Sequence, residues 1–152
     1  MKKEFKLISF SYSPGYGDML GGYHSAELRR EKDGRWTFVC RDRETHCDPE
    51  IRTVYAVSAD DAEQFGRFIE KKRILSLGNR PKSDLFVTDY SPWRYTVDAE
   101  VTSFGKTKSE YVNIDEYKKY SKKDYSLLSE LREKFYALRG EKFSESKGES
   151  LY

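Results

Sequence analysis

Between residues 58 and 73 the apolar positions recur at helical spacing. Ala62, Phe65, Phe68 and Ile69 fall on one stripe, and charged residues fill the rest. Ser58 precedes the stripe and Asp61 follows it three residues on, an acidic variant of the capping-box spacing. Acids at the start (Asp60, Asp61, Glu63) and bases toward the end (Arg67, Lys71, Lys72, Arg73) complement the helix dipole. Ile74 leaves the stripe, so the regular helix is expected to end near Arg73, with Gly78 as a left-handed exit and Pro81 as a stop. A second helical pattern, Leu128, Leu131, Phe135 and Leu138, follows the cap spacing of Ser121 and Asp124 and ends at Gly140.

Elsewhere the period is two. Residues 4–12 read as a strand with Ile8, Phe10 and Tyr12 on one face and Ser9 and Ser11 on the other. Residues 23–30 present His24, Ala26 and Leu28 together, and residues 35–42 present Trp36, Phe38 and Cys40. The turn between them, Lys32-Asp33-Gly34, admits two registers. A three-residue turn with Gly34 left-handed sets Phe38 opposite Leu28 and Cys40 opposite Ala26, and only that register gathers apolar side chains on one face. It also sets His24 opposite Asp42.

Residues 51–57 form a fourth strand whose Val54 and Ala56 are expected to join Phe38 and Trp36. A short apolar run at 85–88 comes next. Trp93, Tyr95, Val97, Ala99 and Val101 then alternate cleanly with polar residues, followed by a turn around Gly105 and a short return strand at 110–112. Short connections favour antiparallel pairing. The expected architecture is α+β: one twisted antiparallel sheet of six or seven strands, with both main helices on one face. Residues 1–140 make a single domain, and 141–152 are too polar to fold.

Composition narrows the picture. The 152 residues can bury roughly two thirds of their unfolded surface. Charged residues at 36% and apolar ones at 37% suit a thin, aromatic core with a strongly solvated outside. A net charge of +2 argues against an obligate polyanion binder. No apolar run is long enough for an export signal or a membrane span, and with two cysteines a cytoplasmic protein with reduced thiols is expected.

Candidate chemistry is sparse. The loop at 13–23 is glycine-rich but lacks the helix start and Gly-Lys-Ser/Thr triplet of a phosphate cradle. Its ligand-contact candidates are Tyr16, Gly17, Met19, Gly21, Gly22 and Tyr23. His24 beside Asp42, with Cys40 one pair along, is the candidate catalytic trio, because a carboxylate orients an imidazole for base catalysis. Inert core residues explain the same pattern. Cys40, His46 and Cys47 lack zinc spacing, so neither a metal nor a cofactor is implied. Tyrosines, lysines and arginine interleave through Arg94, Tyr95, Tyr111, Tyr117, Lys118, Lys119, Tyr120, Lys122 and Lys123, but acids sit among them, and a solvated face accounts for them better than base stacking.

Phe10-Ser11-Tyr12, the run from Gly17 to Tyr23, the Leu28 strand and Asp89 together resemble a group of small uncharacterised proteins from Gram-positive bacteria. The resemblance spans roughly residues 5 to 139 and implies a domain with no assigned chemistry. Three function classes stay open. The favoured one is a non-catalytic domain binding a protein or small molecule through the 13–23 loop or the exposed sheet face. The others are a small enzyme centred on His24, Asp42 and Cys40, and a single-stranded nucleic-acid binder.

Overall fold

A computed structural model describes residues 3–15, 21–84 and 92–148. Seven antiparallel strands form one sheet: β1 (Glu4–Ser13), β2 (Tyr23–Arg30), β3 (Trp36–Arg43), β4 (Ile51–Val57), β5 (Arg94–Ser103), β6 (Lys106–Asp115) and β7 (Lys142–Lys147), in the spatial order β6-β5-β1-β2-β3-β4-β7. Helices α1 (Ala59–Lys71) and α2 (Lys122–Tyr136) and a short 3₁₀ helix (Ile74–Asn79) supply the second layer. Among the described residues no helix is long and apolar enough to cross a membrane.

Local chemistry sets the helix starts. Ser58 Oγ accepts from the Asp61 N–H at 3.1 Å. At α2 the box is reciprocal: Ser121 Oγ accepts from the Asp124 N–H at 3.0 Å and Asp124 accepts from the Ser121 N–H at 3.1 Å. Asp124 also receives two hydrogen bonds from Arg80, at 2.9 and 3.1 Å, tying α2 to the end of the 3₁₀ helix. The Arg80 bond, helped by the Ser121 N–H, holds the Asp124 carboxyl below the ordinary carboxylate range.

A depressed pKa stabilises the folded state above the unfolded value, near about 3.9, and that stabilisation is lost as pH falls through the folded value. Asp124→Asn is therefore expected to cost about 1–3 kcal/mol at neutral pH. The gap from wild type narrows only under acid, as urea unfolding at a series of pH values would record. An equal gap at pH 7 and at pH 2 would contradict this assignment.

The hairpin adopts the three-residue turn. Gly34 sits at φ 90° and its N–H donates to the Glu31 carbonyl at 2.9 Å. The register runs Leu28↔Phe38, Ala26↔Cys40 and His24↔Asp42, as the apolar matching requires.

Five local expectations need correction. Pairing between β1 and β5 shifts between Leu7 and Ser9, so Ile8 is an extra, bulged residue. Leu7, not Ile8, joins Phe10 and Tyr12 in the core. In β4 the register is Phe38↔Tyr55 and Val39↔Val54, which puts Tyr55 and Val57 under the helices and Val54 and Ala56 on the opposite face. The left-handed residue after α1 is Arg73 (φ 54°) rather than Gly78, and α2 ends at Tyr136, before Gly140. The polar tail does not stay unfolded through residue 147. Residues 142–147 pair with β4 chiefly through backbone bonds, since all six side chains are exposed.

The core is one aromatic layer. Phe135 of α2 lies 4.7 Å from Phe10 and 4.6 Å from Phe38, ring centre to ring centre, and 6.0 Å from Phe65 of α1. Ala62, Phe65 and Ile69 of α1, Leu128 and Leu131 of α2, and Leu28, Val97 and Ile114 of the sheet complete it. Both helices therefore pack on one face, and among the described residues the other face of the sheet carries no helix.

Candidate functional site

The side chains opposite the core form rows across β2, β3, β4 and β7. One row is Ser25, Arg41, Arg52 and Ser146; the next is Glu27, Val39, Val54 and Ser144; a third contains Arg29, Thr37 and Ala56. Val39 is only 2% exposed although no helix among the described residues covers it.

Most charges here are matched. Glu31 accepts from Arg29 Nε at 2.9 Å and from the Thr37 hydroxyl at 2.8 Å, and these bonds lower its pKa. Arg35 pairs with Asp33 at 2.6 Å. Arg41 and Arg52 differ. They face each other directly across β3 and β4, and neither forms an ion pair among the described residues. Two like charges so placed oppose pairing of the strands. The Arg52 Nε–H is shut away from solvent with no acceptor. Beside it lies an open cavity of about 540 Å³, with Arg29, Val54, Ala56 and Phe143 among its walls. Phe143 is 63% exposed, and the Arg35 guanidinium lies 5.9 Å from its ring centre.

Part of the glycine-rich loop falls within the described residues. Tyr16, Gly17 and Met19 lie outside the described residues. Gly21, Gly22 and Tyr23 serve as a clamp. The Gly21 carbonyl accepts two bonds from Arg43, at 3.2 and 3.0 Å. Arg43 also lies over the Tyr23 ring, 5.2 Å from its centre, and the Tyr23 hydroxyl donates to Glu50. Burial and the Glu50 carboxylate push the Tyr23 pKa up.

His24 Nδ1 lies 2.7 Å from Asp42 Oδ1, and Glu44 comes within 3.7 Å of Nε2. The side chains of His24 and Asp42 are 47% and 41% exposed, so the pair sits in open water. Cys40 is half-buried against the core; burial, and then the Asp42 charge, raise its thiol pKa. That environment keeps the thiol protonated, the reverse of what a nucleophile needs.

The tyrosine and lysine set does not assemble into one platform. Tyr95 is 2% exposed. The Tyr120 hydroxyl donates to the Asp115 carbonyl at 2.7 Å, and Lys118 and Lys119 pair with Asp115 and Asp84. β6 itself continues to Asp115.

Arg41 and Arg52 were not singled out by the sequence. The signal that could have found them is the alternation Arg41-Asp42-Arg43 with Arg52, but it is readable only once the phase of β4 is known. Comparison of the chain with protein-family models, curated proteins and solved structures finds no match.

Proposed function

We propose that this chain is a non-catalytic binding domain that takes an acidic, extended protein segment across the uncovered face of β2, β3 and β4. One observation carries the reading: Arg41 and Arg52 are set opposite each other without a carboxylate, and the Arg52 Nε–H lacks an acceptor. A carboxylate laid between the two guanidiniums would accept charge-assisted hydrogen bonds from both and relieve their repulsion. The neighbouring cavity, with Phe143 at its rim, has room for an adjoining side chain. An enzyme built on His24, Asp42 and Cys40 draws less support, because its thiol is held protonated. A cytoplasmic setting belongs to the same proposal and rests on the sparse use of cysteine, two in 152 residues.

The test is a fluorescence-anisotropy titration with a labelled Glu/Asp-rich peptide, a neutral peptide of equal length and a single-stranded oligonucleotide. The expected result is saturable, salt-weakened binding of the acidic peptide alone, reduced about tenfold or more by R41S/R52S. Equal affinity in the double variant, preference for the oligonucleotide, or no binding of the acidic peptide would each overturn the reading. Both arginines are outside the helix-packed core, so circular dichroism is expected to find the variant folded.

A further inference from the structure

On the helix side of the sheet, away from Arg52, a second cavity of about 290 Å³ opens beside α2. Tyr12 of β1 and Trp93 and Tyr95 at the start of β5 form one wall. Tyr125, Ser129 and Arg132 form the other, one helical turn apart and so on one face of α2. The rings are fixed against each other. Tyr12 and Tyr95 lie 4.5 Å apart centre to centre, and Trp93 meets Tyr95 edge-on at 5.8 Å. The Tyr95 hydroxyl is held by the Leu128 carbonyl at 3.3 Å.

Arg132 is the cation of this cavity. Its guanidinium carbon lies 5.9 Å from the Tyr12 ring centre, and Nη1 is 3.5 Å from the Tyr12 hydroxyl. No carboxylate among the described residues pairs with it. Its neighbours one turn away on α2 are Leu128, Ser129, Phe135 and Tyr136, none of them acidic. A cavity lined by aromatic rings, a planar cation and a serine hydroxyl has a narrow set of chemical complements. The rings favour a planar aromatic body. The guanidinium favours a carboxylate, which it can meet with two parallel hydrogen bonds. The volume sits at the bottom of the usual range for ligand sites, about 300–1,000 Å³, and limits the body to one or two fused rings.

We propose that this cavity binds a small aromatic carboxylate, its ring against Trp93 and Tyr125, the accessible rings of the lining, and its carboxylate on Arg132 with help from the Ser129 hydroxyl. The site is on the other side of the sheet from Arg41 and Arg52 and does not depend on the peptide-binding reading.

The probes are 2-naphthoate and its neutral counterpart 2-naphthamide, titrated by ¹H–¹⁵N NMR into the full chain carrying W36F, which leaves Trp93 as the single indole. Saturable naphthoate binding is expected, shifting the Trp93 indole N–H and the α2 amides near Ser129. Naphthamide is expected to bind about tenfold more weakly or worse, and R132Q to weaken naphthoate by a similar factor. S129A removes the smaller share, a loss of a few fold. Absence of naphthoate binding overturns the proposal. So does equal binding of acid and amide, or unchanged binding in both R132Q and S129A.

Discussion

Phe135→Ala is expected to lower the free energy of unfolding by about 3–5 kcal/mol, enough to take much of a domain's usual margin of about 5–15 kcal/mol. The size follows from position. Phe135 is fully buried and its ring touches Phe10 and Phe38 of the sheet and approaches Phe65 of α1. Its ring pairs with rings of both the sheet and α1. Alanine leaves a cavity walled by rigid rings, which cannot close in to fill it. Urea unfolding followed by tyrosine fluorescence is the measurement, with Phe135→Leu as the milder control. A loss below about 1 kcal/mol for the alanine variant would mean that α2 is not seated on this core.

Gly22→Ala is the second large effect. A Cβ built there would lie 2.1 Å from the Glu44 carbonyl oxygen, 2.8 Å from its carbon and 3.0 Å from the Arg43 oxygen. All three are backbone atoms, so no rotamer change relieves the clash, and the two chain segments must part. We expect a cost of about 2–3 kcal/mol, in the range for forcing extra atoms into a packed interior. The register Tyr23↔Arg43 begins beside this contact, so cross-strand NMR contacts there are expected to weaken first. Gly148→Ala is the control: the added Cβ would meet nothing closer than 3.5 Å, and stability is expected to hold.

Some of this architecture was readable before any coordinates. The cap spacings Ser58/Asp61 and Ser121/Asp124 are local chemistry, and both caps form. The β2–β3 register was decided by apolar matching across a glycine turn, and it put His24 beside Asp42. Other parts carried no usable phase. Residues 54–57 of β4 are all apolar or aromatic, so alternation cannot say which pair faces the helices. Leu7 and Ile8 are adjacent and equally greasy, so the bulge is silent. β7 has almost no apolar residue, and its pairing depends on the free edge of β4, which no local pattern reports.

The candidate site failed to appear for the same reason. Arg41 and Arg52 meet only across two strands whose relative phase was misread. The aromatic slot beside Arg132 needs α2 laid along the start of β5, a long-range contact that spacing alone does not contain. The clamp made by Arg43, Tyr23 and Gly21 is likewise tertiary.

The edge strand β7 has a consequence for evolution. Its side chains all project into water, while its backbone continues the sheet. Nearly any polar residue could stand at those positions, Phe143 aside, but proline could not stand where an N–H feeds the ladder. Across related genomes this segment is therefore expected to drift freely in letters while holding its length, so that an alignment scored on identity would discard a piece of the fold that a count of residues would keep.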